Sequence, residues 1–213
     1  MDRFTTAVTV FNNQAKQYQD KFMNVDLYRY SLDLFCNSIA KENARILDIA
    51  CGPGNITKYL LEKRPGFQIL GIDLSPNMLV LAKTNNPTAQ FQLMDCRDIA
   101  TIGKKYDAIV CGFCLPYLSK EEALKLIRDS SVLLNSGGLL YLSTMEDDYS
   151  KSGLRTASSG DRLYVHYHQA DNLLHALEEN GFKIIDIRRQ EFPTDDDTKI
   201  TDLLIIVENK KDC

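Results

Sequence analysis

The stretch ILDIACGPGN (46–55) decides how this chain folds. An apolar run, interrupted by Asp48, predicts a buried strand that passes directly into small residues and a helix. Gly52 and Gly54 let the backbone approach a ligand closely where a side chain would clash. In open α/β sheets ligands bind at the carboxyl ends of the strands, and a helix N-terminus favours negative charge. We therefore expect a binding site at this turn.

The glycine spacing disfavours two common nucleotide sites. Counted from Gly52, the third glycine of a dinucleotide fingerprint would fall at Thr57, and counted from Ala50 it would fall at Asn55. The chain also lacks the Gly-Lys-Ser/Thr sequence of a triphosphate-binding loop.

Short apolar runs alternate with amphipathic segments along the chain. The predicted strands are 44–50, 67–73, 89–95, 106–112, 137–144, 182–192 and 201–209. Helices are expected after residue 55, from the Ser75-Pro76 cap, from the Ser119–Glu122 capping box to about Leu134, and over 169–180 before Gly181. Because such alternation implies right-handed crossovers, we predict a three-layer α/β sandwich with a seven-stranded, mostly parallel sheet. The last two strands, joined only by the hinge PTDDDTK (193–199), must be antiparallel neighbours.

Two amphipathic helices are predicted ahead of the first strand, as an N-terminal cap. Apolar residues at helical spacing mark both of them: Phe11, Ala15, Tyr18 and Phe22 in the first, then Val25, Tyr28, Leu32, Phe35 and Ile39 in the second. The stretch 146–162 is rich in Ser, Gly and Asp and lacks periodicity. We interpret it as a long mobile loop, which in compact domains is often a lid.

Length and composition indicate one globular domain. The chain has 213 residues, 44% hydrophobic and 25% charged, and it contains no apolar run long enough for a membrane helix. Its first twenty residues are polar, so we expect a soluble, cytoplasmic protein. The six cysteines are scattered and read as reduced, mostly buried thiols rather than metal ligands. A net charge of −4 without a basic block disfavours nucleic acid as a partner.

Acidic residues end the second and third predicted strands. Asp73, in GIDLSPNML, is placed to accept hydrogen bonds from two ribose hydroxyls, with Leu74 beside it to pack on an adenine face. Asp95 is placed in the same way to accept from an adenine amine. Together with Asp48, this gives three strands that each carry an acid near one edge of the sheet, which indicates a nucleoside site rather than chance.

These motifs resemble those of the class I S-adenosylmethionine-dependent methyltransferases, especially the branch that acts on small molecules. The resemblance covers nearly the whole chain and rests on FNNQAKQY (11–18), LDIACGPGN, GIDLSPNML, LMDCRDI, YDAIVCGFCLPYL, LLNSGGLLYLS and LEENGFKII. It implies a Rossmann-like fold, a single domain over 1–213, and S-adenosylmethionine as cofactor. Within that domain it implies a helical cap (1–40), a cofactor-binding core (44–145), a lid or substrate loop (146–168), and a closing helix with two strands (169–213).

The resemblance also implies roles for individual residues. Asp48 and the turn Ala50, Cys51, Gly52 and Gly54 would hold the methionine part of the cofactor, and Tyr18 would contact its carboxylate. Asp73 would bind the ribose, and the adenine would meet Leu74, Met78, Asp95 and the backbone of Cys96. The backbone of Cys111 and Gly112 would meet the ammonium group. The family usually has Gly where this chain has Ala50, for which we expect a slight shift of the turn.

Two further stretches are candidates for chemistry. LYVHYH (163–168) puts Tyr164, His166 and His168 on one face if extended, as substrate contacts or general bases, or as a polar edge without a catalytic part. Leu115 and Tyr117 are expected to face the substrate as well. The CGFC stretch (111–114) resembles a redox pair in its spacing, but it follows the fourth strand rather than opening an early helix.

The favoured function is methyl transfer from S-adenosylmethionine to a small-molecule acceptor by a monomer or homodimer. The N-terminal helices and the 146–162 loop are expected to close over that acceptor. Two alternatives stay open at this point: a non-catalytic S-adenosylmethionine-binding protein, and a thiol oxidoreductase that uses CGFC.

Overall fold

The computed structural model describes residues 3–156, 160–193 and 200–210. The predicted hinge at 193–199, apart from Pro193, and Cys213 lie outside the described residues. Within the described residues no helix has the length and apolar character needed to cross a bilayer.

The helices frame the sheet on both faces. In chain order they are α1 (Arg3–Asn13), α2 (Ala15–Phe22), α3 (Arg29–Ser38), α4 (Asn55–Lys63), α5 (Pro76–Asn85), α6 (Lys120–Leu133) and α7 (Ala170–Glu179). Short 3-10 turns cover Asp26–Tyr28, Cys96–Ile102, Leu115–Tyr117 and Tyr149–Lys151. The predicted caps are confirmed: the hydroxyl of Ser75 accepts from the amide of Met78, and Ser119 and Glu122 form a reciprocal capping box.

Among the described residues, nine strands form one large sheet and one hairpin. They are β1 (Arg45–Ile49), β2 (Gln68–Asp73), β3 (Gln90–Leu93), β4 (Tyr106–Gly112), β5 (Leu134–Glu146), β6 (Gly153–Thr156), β7 (Arg162–Val165), β8 (Phe182–Phe192) and β9 (Ile200–Asn209). Seven of them form a sheet in the order β3-β2-β1-β4-β5-β9-β8, in which β9 runs antiparallel to both of its neighbours. The predicted seven-stranded, mostly parallel sheet is confirmed.

Strand order determines where a ligand can bind. From β1 the chain moves outward to β2 and β3 and then returns to place β4 on the other side of β1. The connections on either side of β1 therefore lead to opposite faces of the sheet and leave a crevice at the carboxyl ends of β1 and β4. Two apolar clusters cover the faces, one containing α6 and α7 residues and the other α3 and α4 residues.

The N-terminal cap differs from the prediction of two helices. Three α-helices are present, because the backbone at Gln14 leaves helical geometry (φ −102°, ψ 14°) and separates α1 from α2. The segment after Phe22 does not continue as a helix from Val25, because the Asn24 side chain accepts the amide of Asp26 at 2.7 Å in a local turn. The α3 helix starts only at Arg29.

The stretch 146–162 also differs from the predicted long loop. It contains a 3-10 turn and β6, which pairs antiparallel with β7 from Gly153↔Val165 to Thr156↔Arg162. The strands are four residues each, too short to show periodicity in the sequence. The hairpin packs on α1, where the Arg3 guanidinium lies 3.7 Å from the centre of the Tyr164 ring.

Candidate active site

A cleft of about 630 Å³, partly open to solvent, lies at the carboxyl ends of β1, β2 and β4. Its position, where the strands of an open α/β sheet end, is the usual position of a cofactor or substrate site. Helix α1 forms one wall. The lining residues are Phe4, Ala7, Val8, Phe11, Tyr18, Ala50, Gly52, Asp73, Leu74, Ser75, Met78, Met94, Cys96, Gly112, Phe113, Cys114 and Tyr117.

The turn after β1 has an unusual backbone. Ala50, Gly52 and Gly54 all have positive φ, at 54°, 53° and 78°. A left-handed conformation costs a residue with a Cβ about 1–2 kcal/mol, so Ala50 is held in this state by its surroundings. Ala50 lines the cleft with the left-handed backbone that a glycine would adopt, and the slight shift expected for the turn stays a prediction.

Gly52 and Gly54 have different structural roles. Gly52 lines the cleft, and a Cβ there would have only Tyr18 near it, at 3.8 Å. A Cβ on Gly54 would lie 2.3 Å from Nδ2 of Asn86, which itself donates to the carbonyl of Gly54 at 3.0 Å. Gly54 is thus required for packing of α4 on α5 rather than for close approach of a ligand.

Asp73 joins the turn to the end of β2. Its Oδ2 accepts the amide of Gly52 at 2.9 Å, and its Oδ1 accepts the amide of Ser75 at 2.8 Å. A carboxylate has about four lone-pair sites, so these bonds leave acceptor capacity for hydroxyl donors in the cleft. Burial raises the pKa of Asp73 above its ordinary value. The backbone hydrogen bonds oppose that shift and favour the charged form.

Apolar side chains surround Asp73 on the cleft surface. Leu74, Met78 and Met94 line the cleft, and Met78 is buried. Flat apolar walls beside a hydrogen-bonding carboxylate suit a ligand with an aromatic ring attached to a diol.

Aromatic rings form the wall opposite. The ring of Phe11 lies edge-on to Tyr18, with centroids 5.6 Å apart, and to Tyr117 at 4.9 Å. Burial raises the pKa of Tyr18 to about 12, and burial raises that of Tyr117 also, so both phenols stay protonated. The lining includes no Lys, Arg or His from the described part of the chain.

Five predicted cofactor contacts lie outside the cleft lining: Asp48, Cys51, Gly54, Asp95 and Cys111. Asp48 is 1% exposed and accepts the Thr57 hydroxyl at 2.6 Å, so it anchors the start of α4. Asp95 accepts three nitrogens of Arg97, with Nη2 at 2.7 Å. The side chains of Cys51 and Cys111 are buried beside the turn and in β4. The cofactor contacts expected of these five residues therefore stay predictions.

Most of the predicted substrate-facing residues also lie elsewhere. Tyr117 lines the cleft, whereas Leu115 is fully buried in the core. Tyr164 packs under Arg3 in the hairpin. His166 and His168 are each 4% exposed and bind the segment before α6. The His166 amide donates to Pro116 at 2.7 Å, and Nε2 of His168 lies 2.9 Å from the Leu115 carbonyl.

Residues 46–138 match the family model described as a methyltransferase domain. That match covers the turn, Asp73 and the crevice between β1 and β4. This part of the chain therefore carries the sequence pattern of a methyltransferase domain.

Relatives in sequence agree with this assignment of the methyltransferase domain. The chain is 29% identical over 188 residues to an uncharacterized methyltransferase of Alkaliphilus oremlandii, covering 83% of this chain and 82% of that protein. It is 30% identical over 144 residues to the malonyl-[acyl-carrier protein] O-methyltransferase of Acetivibrio thermocellus, covering 63% and 47%. The chain spans less than half the length of several other curated relatives that it matches.

Solved structures share the fold of the methyltransferase domain. Magnesium protoporphyrin IX methyltransferase from Synechocystis, with bound SAM, has a TM-score of 0.72 at 17% identity and covers 98% of both chains. A SAM-dependent methyltransferase from Methanosarcina mazei has a TM-score of 0.68 at 22% identity and covers 81% of this chain and 95% of that one. At these identities the likeness concerns the fold.

The structure adds cleft residues that the sequence argument missed. Four of them, Phe4, Ala7, Val8 and Phe11, recur at helical spacing and form the inner face of α1. That spacing was available in the sequence. The others, Ser75, Met94, Phe113 and Cys114, follow strand ends and carry no signal of their own.

The CGFC cysteines of the methyltransferase domain are buried free thiols. Cys111 and Cys114 are 0% and 4% exposed, and Sγ of Cys114 lies 3.5 Å from that of Cys96. A hydrogen bond with Cys111 and burial both raise the pKa of the Cys114 thiol well above its ordinary value. Because redox cysteines need a lowered pKa and access, this arrangement argues against the thiol oxidoreductase alternative.

Proposed function

We propose that this protein transfers a methyl group from S-adenosylmethionine to a small-molecule acceptor. One observation carries the proposal: Asp73, held by the amides of Gly52 and Ser75, presents free lone pairs to an apolar cleft at the carboxyl ends of β1 and β2. A nucleoside with a ribose diol and an adenine ring fits this combination.

The residues present fit the cofactor. Asp73 would hold the ribose hydroxyls, and Leu74, Met78 and Met94 would enclose the adenine. The turn at Ala50 and Gly52, with Tyr18 facing it, would hold the amino acid end. When bound, S-adenosylmethionine supplies a methyl group on a positively charged sulfur, which leaves with the electron pair of the C–S bond.

The protein itself then has to bind the cofactor, align its methyl group with the acceptor and exclude water. Proximity and orientation supply about 7–11 kcal/mol of the barrier reduction in well-aligned reactions, more than a positioned base typically adds. Helix α1 serves this task because Phe4, Val8 and Phe11 cover the cleft. The malonyl-[acyl-carrier protein] and ubiquinone-pathway O-methyltransferases among the relatives support a small acceptor.

Isothermal titration calorimetry with S-adenosylhomocysteine tests the cofactor, and methyl transfer to a panel of amines, phenols and carboxylates tests the activity. We expect binding and turnover with at least one acceptor class. Absence of binding at millimolar ligand overturns the proposal. Binding without turnover on any member of the panel favours the non-catalytic alternative.

We further propose, on the basis of the sequence, that the protein acts as a monomer or homodimer in the cytoplasm and has no nucleic acid partner. Size-exclusion chromatography with light scattering tests the oligomeric state.

A further inference from the structure

A buried tyrosine–aspartate pair lies behind the wall of the cleft. The hydroxyl of Tyr28, in the 3-10 turn before α3, donates to Oδ2 of Asp202 in β9 at 2.7 Å. Asp202 is 2% exposed, although it is a charged residue near the end of a sheet strand. Buried carboxylates need hydrogen-bonding partners or a bound cation.

Asp202 is only half satisfied. In the described part of the chain its Oδ2 has the Tyr28 hydroxyl, while its Oδ1 accepts no hydrogen bond and no cation pairs with the group. Burial raises the pKa of Asp202 to about 6, and the Tyr28 hydrogen bond opposes that rise. The second carboxylate oxygen is therefore available to accept a hydrogen bond from a donor on a ligand.

The groups facing Asp202 are neutral. Its cross-strand partners are Met145 on β5 and Gln190 on β8. Tyr141 on β5 lies near enough for the Asp202 charge to raise its pKa further. Two cations lie at this end of the sheet and neither pairs with Asp202: the Arg188 guanidinium lies 3.7 Å from the centre of the Tyr30 ring, and Arg189 pairs with Glu146.

Phe113 separates this pair from the cleft. Its ring lines the cleft, and the ring of Tyr28 lies behind it with centroids 5.2 Å apart. Phe113 has φ 54°, which is strained for a bulky residue, and its amide donates to both the carbonyl and the hydroxyl of Ser143 at 3.1 Å. The Phe113 ring is half-buried between the cleft and the Tyr28–Asp202 pair, so a rotation of this side chain would connect the two.

The aromatic rings and charges that line the cleft favour one chemical class of methyl acceptor. Five aromatic side chains and Asp73 line it, and no basic residue does. Aromatic faces attract cations, whereas an acidic acceptor would meet no countercharge there. An organic ammonium group is therefore the acceptor that the aromatic rings and the carboxylate of Asp202 both favour.

We propose that the methyl acceptor is a small amine with an apolar body, and that Asp202, held by Tyr28 behind Phe113, binds its ammonium group and takes its proton. This inference rests on the proposed methyl transfer. One N–H bond of the ammonium breaks, the proton forms an O–H bond with the carboxylate, and the electron pair remains on nitrogen. That pair forms the new N–C bond while the C–S bond of the sulfonium breaks and its electrons go to sulfur.

Three probes of one shape test the ammonium site: benzylamine, benzyl alcohol and benzoate. Each is titrated into protein saturated with S-adenosylhomocysteine at pH 7.5. We expect benzylamine to bind at least 10-fold tighter than the other two and its affinity to fall as the pH drops below about 6, where Asp202 becomes protonated. Equal or tighter binding of the alcohol or benzoate, or no binding of benzylamine, overturns the inference.

The D202N variant separates proton acceptance from anchoring, since an amide oxygen still accepts the Tyr28 hydroxyl. We expect it to lose the preference for benzylamine and to lower kcat for amine methylation by 10²–10⁴-fold while S-adenosylhomocysteine affinity stays unchanged. The matched control is D33N, because Asp33 accepts the Tyr59 hydroxyl at the same 2.7 Å but is half-buried on α3, away from the cleft lining. An amine preference retained in D202N contradicts the inference.

The Y28F variant serves if D202N fails to fold. It keeps the ring against Phe113 and removes the hydrogen bond that lowers the pKa of Asp202. We expect the acid limb of benzylamine binding to move to higher pH. A purely structural role leaves that limb in place. Failure of S-adenosylhomocysteine itself to bind refutes the proposed function instead.

Discussion

The backbone amide of Gly52 donates a 2.9 Å hydrogen bond to Oδ2 of Asp73. This bond ties the turn after β1 to the end of β2, so one carboxylate fixes the backbone and offers lone pairs to the cleft. The same side chain therefore affects both the shape of the site and its binding.

Replacing Asp73 with alanine should weaken S-adenosylhomocysteine binding by roughly 10- to 100-fold. Hydrogen bonds to a charged group are worth about 1.5–3 kcal/mol, and the variant also frees the amides of Gly52 and Ser75. Calorimetric titration measures the affinity, and unchanged binding would remove the ribose assignment.

Asp107 provides the control for that experiment. It also accepts a backbone amide, that of Arg45 at 3.0 Å, but it lies at the opposite edge of the sheet. D107A should lower the melting temperature and leave the affinity for S-adenosylhomocysteine as in the unmodified protein.

Asn12 fastens helix α1 over the cleft. Its Oδ1 accepts the Ser75 hydroxyl and the Asn77 amide, each at 3.0 Å, and its carbonyl accepts the Asn77 side chain at 2.9 Å. Two side-chain bonds of about 0.5–1 kcal/mol each predict that N12A speeds S-adenosylhomocysteine release by roughly 5- to 30-fold. Stopped-flow displacement measures the rate, and the exposed neighbour N13A should leave it unchanged.

The sequence was sufficient to predict the sheet and the position of Asp73 at the end of β2, because both depend on local signals. Period and length mark the strands, and Asp73 is the last residue of β2, so it lies at the carboxyl edge of the sheet where ligands bind. Right-handed crossovers restrict the possible arrangements of these strands, but the order β3-β2-β1-β4-β5-β9-β8 comes from the structure and is not predicted by the sequence.

The N-terminal cap and the Tyr28–Asp202 pair depend on contacts that no local pattern encodes. Tyr28 was assigned to a helix stripe, yet its hydroxyl reaches Asp202 across 174 positions of sequence. The Asp95–Arg97 ion pair is likewise seen only in the structure, and the adenine contact expected for Asp95 stays a prediction. Side-chain pairing of this kind is decided by packing, which the sequence alone does not specify.

Gly52 and Gly54 should respond differently to alanine. G54A forces a Cβ to 2.3 Å from Asn86 Nδ2, whose two hydrogen bonds hold it in place, and adds left-handed strain. We expect a loss of roughly 2–4 kcal/mol in the free energy of unfolding. G52A adds only the strain, about 1 kcal/mol, but obstructs the cleft and weakens S-adenosylhomocysteine binding. Urea unfolding and calorimetry separate the two, and a reversed order of stability loss contradicts the packing role of Gly54.

Asp48 should make the stability of the protein depend on pH. Burial raises its pKa to about 7, so the folded state binds the proton more tightly than the unfolded chain does. The stability from this group is complete below the unfolded pKa near 4 and is lost as the pH rises to about 7, at roughly 1.4 kcal/mol for each unit. In D48N the amide still accepts the Thr57 hydroxyl but does not titrate. The free energy of unfolding of D48N, relative to that of the unmodified protein, should therefore increase by a few kcal/mol between pH 4 and 7. Parallel stability curves for the two proteins would show that Asp48 does not carry the predicted shift.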